Sequence, residues 1–83
     1  MYNYEVQKLT LFTDEAQREF LKARDLADKL LEEAGAFMMF SSLVGVSGDS
    51  WQQMAFIDRM VELGEIREVT CGVAGQHRVF VRA

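Results

Sequence analysis

Apolar positions along this chain fall into three rhythms, each predicting a different kind of element. Between residues 14 and 34, Ala16, Phe20, Ala23, Ala27, Leu30, Leu31 and Ala34 recur at spacings of three and four. Arg18, Lys22, Asp25, Lys29 and Glu32 take the other face, so the stretch reads as an amphipathic helix with one side in the core. Thr13 suits its N-cap, Asp14 and Glu15 lie where the helix dipole favours acids, and Gly35 supplies the stop. Asp25 and Lys29 form an i,i+4 pair on the outer face. A second helical rhythm covers 51–63 and ends at Gly64, with Ser50 and Gln53 spaced as a capping box. On a wheel at about 100° per residue, Met54, Ile57, Met60 and Val61 cluster, with Phe56 and Leu63 at one border. Trp51, Gln52, Ala55, Asp58, Arg59 and Glu62 take the opposite side.

The second rhythm is alternation. Residues 65–70 and 77–82 read as two strands around the Gly-containing tip 71–76, which makes an antiparallel hairpin fed directly by a helix. Residues 2–12 are rich in Tyr, Val, Leu, Thr and Phe and also read as a strand. Their alternation changes phase near Lys8: Tyr2, Tyr4 and Val6 share one face, Leu9 and Leu11 the other, as a bulge would allow. The third rhythm is a continuous apolar run. Residues 37–43 are almost wholly apolar and must be buried on most sides. They read as a brief second helix, and periodicity leaves a buried strand open as the alternative. Residues 44–49 form the turn. The predicted chain is one α+β domain over 1–83: an N-terminal strand (1–12), a three-helix unit (13–64) and a hairpin (65–83). Phe20, Ala27, Leu30, Phe40, Met54, Ile57, Val61 and Ile66 are expected in its core.

Composition changes this picture in two respects. With 83 residues, 49% of them apolar, the chain can bury a core without disulfides or metal, and its one cysteine, Cys71, excludes an internal disulfide framework. The start Met-Tyr-Asn-Tyr-Glu has neither the basic nor the apolar region of a signal peptide, and the longest apolar stretch is too short to span a bilayer. The expectation is a soluble, cytoplasmic protein that does not bind membranes. Charge is unevenly placed within the formal total of −4. From Arg67 onward three arginines face one acid, Glu68, for a local +2 that leaves −6 for the rest. An acidic body thus carries a mildly basic hairpin.

Candidate chemistry is sparse. The string Ser47-Gly48-Asp49-Ser50 resembles hydrolase tripeptides, but helix capping already accounts for it. His77, the only histidine, has no acid placed to orient it as a catalytic base. Cys71 and His77 are two ligands where a closed zinc site needs about four. The glycines form no phosphate-binding fingerprint, and the methionines read as core filler. No catalytic residue, cofactor or metal is expected, and the chain is not expected to be an enzyme.

Residues 37–82, with helix, Gly-containing turn, helix and hairpin in that order, resemble the winged helix-turn-helix superfamily. The closest local likeness is Met60-Val61-Glu62-Leu63-Gly64-Glu65-Ile66, a helix end running through Gly into the first wing strand; Gly75 then precedes the returning strand, centred on Val79-Phe80-Val81. The resemblance implies a third helix that enters a DNA major groove and a wing that touches the backbone. Carried over by position, it assigns the exposed side of 51–62 and the tip between Thr70 and Arg78; the wing contacts expected from the basic hairpin are Arg67, His77, Arg78 and Arg82.

The third helix itself points elsewhere. Its open side carries one base, Arg59, against Asp58 and Glu62, which is little for neutralising phosphates. Gln52 and Arg59 have the chemistry to read adenine and guanine. Trp51, with Ala55 one turn on, has the composition of a protein-binding hot spot, unless it folds back on the turn and completes the core. The favoured expectation is a non-catalytic protein-interaction module, a small winged-helix adaptor or inhibitor of the phage or mobile-element type, with Trp51, Gln52, Ala55 and Arg59 as partner contacts. The alternative is a dimeric DNA-binding transcription regulator using the third helix and the wing. A homodimer is expected through residues 2–12, where an unpaired strand invites pairing, or through the first helix.

Overall fold

The chain forms helices and a small three-stranded antiparallel sheet around one core; the structure, a computed structural model, describes residues 2–38, 50–70 and 77–83. The elements are α1 (Tyr4–Gln7), a 3-10 turn (Lys8–Phe12), α2 (Asp14–Ala34), β1 (Ala36–Met38), α3 (Ser50–Glu62), β2 (Ile66–Glu68) and β3 (Val79–Arg82).

The long helix α2 forms as its pattern dictates. The Thr13 side chain accepts from the Ala16 amide at 3.1 Å, and Gly35 closes the other end in the left-handed region at φ 76°. Ala16, Phe20, Ala23, Ala27 and Leu31 are buried, with Leu30 packed at the rim of the core. The Asp25–Lys29 pair is not made; on this face Lys22 pairs with Glu19 at 3.1 Å and Asp28 receives Arg82 at 3.6 Å.

The predicted hairpin is present. β2 pairs with β3 in the register Ile66↔Arg82, Arg67↔Val81, Glu68↔Phe80. Gly64, at φ 77°, ends α3 while the Glu65 amide donates back to the Met60 carbonyl at 3.0 Å. This Schellman closure turns the chain from helix straight into strand. On its other edge β3 pairs with β1, so the strand order is β1-β3-β2. Phe37 lies opposite Phe80, their rings stacked with centroids 5.5 Å apart, and this pair fastens the hairpin to the chain that leaves α2.

Two elements differ from expectation. Residues 2–12 are not a strand but a helical turn followed by a 3-10 turn. Asn3 caps the first, its side chain accepting from the Glu5 and Val6 amides, so the backbone groups are satisfied locally. The phase change in the alternation was the mark of this: Tyr4 and Leu11, seven residues apart, share a helical face and not a pleat. The predicted helix 37–43 opens instead as β1, because Phe37 completes the sheet against Phe80; the remainder, Phe40 included, lies outside the described residues. Ser50, expected as the cap, is instead the first residue of α3, and the residue before it lies outside the described residues.

The buried arc of α3 is turned from the predicted one. Ala55, Phe56, Ile57 and Met60 are fully buried and Met54 half-buried, whereas Val61 and Leu63 are exposed. The cause is the N-terminal segment, which packs along the side of α3 predicted to be open. Ala55 thereby joins Leu11 and Phe56 in the core.

Candidate partner-binding face

On an α-helix, residues at i, i+4, i+7 and i+11 share one side. In α3 these are Trp51, Ala55, Asp58 and Glu62, and they meet four different environments. Trp51, in the first turn, is 42% exposed. Ala55, one turn on, is wholly buried with the N-terminal segment in place, not open as expected of a partner contact. Asp58 and Glu62 follow, each gathering donors from other elements.

Asp58 joins three parts of the chain. Tyr2 donates its hydroxyl at 2.6 Å, and Arg78, the residue before β3, donates at 2.7 and 3.4 Å. The same guanidinium reaches Glu68 of β2 at 2.9 Å and lies 5.1 Å from the Phe80 ring centroid. Thr70 donates to the other Glu68 oxygen at 2.7 Å and accepts from the Val79 amide at 3.2 Å. The Arg78 hydrogen bond holds the Glu68 carboxyl below its ordinary range. Burial works against the charged form of Arg78, but its bonds to Asp58 and Glu68 outweigh that and leave it more basic than usual. Burial, then the bond to Asp58, raises the Tyr2 hydroxyl.

Glu62 is the second meeting point. Lys8 donates to it at 2.9 Å, Tyr4 at 3.1 Å, and Arg59 pairs with it one turn back along the helix. The Lys8 bond leads in holding its carboxyl below the ordinary range. The Tyr4 hydroxyl is pushed up to about 12 by desolvation and by its bond to Glu62. Arg59 also lies over the Phe12 ring, 5.8 Å from its centroid.

The predicted wing contacts meet different surroundings among the described residues. Arg78 is bound to two carboxylates, Arg82 reaches Asp28 at 3.6 Å, and Arg59 is held by Glu62. Arg67 and His77 are exposed, and Arg67 has no carboxylate within ion-pair distance among the described residues. Gln52 is half-buried and makes an interaction of its own. Cys71 and residues 44–49 lie outside the described residues, and so does any contact between Trp51 and that turn. Residues 2–12 are helical and do not present the strand through which a homodimer was expected; Leu21 stands exposed on the outer face of α2.

Sequence reasoning passed over Tyr2, Tyr4 and Lys8 as site residues, and it placed the carboxylates Asp58 and Glu62 on open surface. Two signals were available: Asn3 ahead of an acid in the first turn, and an alanine on an otherwise large-residue helix face, which marks a close approach of another segment. No helix among the described residues is long and apolar enough to cross a membrane. Compared with protein-family models, curated proteins and solved structures, the chain matches none.

Proposed function

We propose that this chain is a non-catalytic protein-interaction module with winged-helix order, an adaptor or inhibitor that presents the Trp51 side of α3 to another protein. The observation that carries the reading is the pairing of cations. Non-specific affinity for a duplex comes from Lys and Arg free to replace counterions. Of the basic residues nearest the third helix and wing, Arg59, Arg78 and Arg82 are each held by a carboxylate of this same chain. A large amphipathic ring stands exposed at the start of the same helix, and Trp is one of the residue types enriched among binding hot spots. The element order supports the winged reading: α2, then α3 running through Gly64 into β2, then β3 returning, with the sheet tied back to the end of α2 by β1.

A DNA-binding regulator is the second reading, and one observation favours it: Arg67 and His77 are both exposed on the hairpin. Fluorescence anisotropy with labelled duplexes at physiological salt separates the two. The interaction reading expects negligible binding. It also expects Trp51→Ala to lose capture of the partner from source-cell extract while melting like the parent chain. Salt-dependent duplex binding that weakens in Arg67→Ala would overturn it in favour of DNA.

A further inference from the structure

The side of α3 that begins at Trp51 is occupied, beyond its first turn, by the chain's own N-terminus. Tyr2 reaches Asp58, Tyr4 and Lys8 reach Glu62, and Phe12 lies under Arg59. The segment's apolar holds are Leu11 and the half-buried rings of Tyr2 and Tyr4. Within residues 2–12 only Leu11 is buried, while Val6, Leu9 and Phe12 stand 59%, 73% and 56% exposed. The bonds to Glu62 are at the surface. A segment with one buried anchor, two tyrosines half-buried at the core's edge and two of its three side-chain bonds to α3 carboxylates at the surface opens at lower free energy than the core it covers, and each of its bonds can be replaced by an equivalent donor from elsewhere.

Resting on the interaction reading above, we infer that residues 2–12 are an intramolecular strap seated on the partner-binding stripe of α3, and that the partner replaces it with an amphipathic segment of the same chemistry. The seated strap defines that chemistry. The stripe accepts one aliphatic anchor where Leu11 lies, and hydroxyl or ammonium donors at Asp58 and Glu62. A cationic amphipathic helix satisfies both requirements, and an acidic one does not. Trp51, exposed at the end of the stripe, is where such a partner gains its first hold before Leu11 is displaced. The strap thus sets a threshold for binding, because an incoming segment must outcompete one already tethered at high effective concentration.

The test uses the full chain and two readouts. Native-state amide exchange should show Gln7–Leu11 opening about tenfold or more faster than the Ala23 and Ala27 amides of α2. The combined substitution Tyr2→Phe, Tyr4→Phe, Lys8→Ala, which leaves Leu11 in place, should speed strap exchange by about another tenfold while leaving Ala23 and Ala27 unchanged. A synthetic peptide of residues 1–13 should then bind the substituted chain about tenfold tighter than the parent, with resonance shifts at Ala55, Asp58 and Glu62. Strap amides that exchange only together with Ala23 and Ala27 would overturn the inference, and so would a loosened chain that binds no peptide at α3. Loss of partner capture in Trp51→Ala alongside either of those outcomes removes the strap but keeps the interaction reading. Duplex binding with peptide bound at α3 does the reverse.

Discussion

Arg78 has a structural role beside the one expected of it from the sequence. Read as a wing residue, it is a phosphate contact; in the fold it is the bridge between α3 and the hairpin, through Asp58 and Glu68. Its side chain and that of Asp58 are each 17% exposed, so removing the guanidinium leaves two carboxylates poorly solvated and close together. Arg78→Ala should cost about 1–3 kcal/mol of stability, read as a lower urea midpoint, whether or not any nucleic acid is present. The pH dependence follows from the same contacts. The Glu62 and Glu68 carboxyls are held below their unfolded value of 4.5, so their contribution is complete above that pH and is lost as pH falls below it. Urea midpoints measured from neutral pH down through this window should fall, and Glu68→Gln should flatten the fall while lowering the midpoint at neutral pH. On the alkaline side the phenols are raised above 10.0, that of Tyr4 to about 12, so their contribution is complete below pH 10.0 and is lost as pH climbs above it. A phenolate absorbance titration should show both tyrosines ionising late, and residues 2–12 should leave α3 as they do. Ionisation at the ordinary value would remove the hydroxyl bonds from the account.

Elements whose own residues decide them were legible in the sequence, and elements decided by a neighbour were not. Helix α2 carries its cap, its stripe and its stop within 13–35, and the helix-to-hairpin turn is written in Gly64. At Gly64 and Gly35 a methyl group would meet nothing within 4 Å, yet both have φ near +77° or +76°, where an L side chain strains the backbone. Ala at either position should therefore cost about 1 kcal/mol from conformation alone, measurable by chemical denaturation; no loss at Gly64 would mean that the Schellman turn does not set the hairpin's direction. Residues 2–12 went the other way. Their Tyr, Val, Leu and Phe content favours a strand, but strand propensity is a surface-fit preference that needs an edge to pair with. The exposed edges of this small sheet are not where these residues go: Asn3 closes a helical turn and the tyrosines find carboxylates on α3. The wheel of α3 erred for the same reason, since it cannot know that a second segment will bury Ala55 from the outside. Residue 37 was ambiguous by pattern alone, and its partner across the sheet, Phe80, decided it.

At the scale of the whole molecule, the decisive property is where the charge is spent. An acidic chain can still bind DNA if its few cations are gathered and free, and the +2 of the last stretch of sequence left that open. Much of that positive charge is paired with acids of the body: Arg78 with Asp58 and Glu68 in half-buried contacts, and Arg59 and Lys8 with Glu62, Arg24 with Glu65 and Arg82 with Asp28 nearer the surface, while Arg67 stays exposed. Pairing of this kind holds the hairpin and the N-terminus to the helices, and each pair would have to break before its cation could release a counterion from a phosphate. A protein surface makes no such demand, since an interface gains most from a few large side chains that lose water at its centre. Trp51 is the candidate for that centre. If it is, Trp51→Ala should lower partner affinity by about 2 kcal/mol or more, roughly thirtyfold, with the thermal midpoint and the amide exchange of α2 unchanged. Arg67→Ala should leave the same affinity within about twofold, as exposed rim charges do. The opposite pattern, a silent Trp51 and a sensitive Arg67 with affinity falling steeply in salt, would mean that the hairpin is the working surface and that the duplex is its ligand.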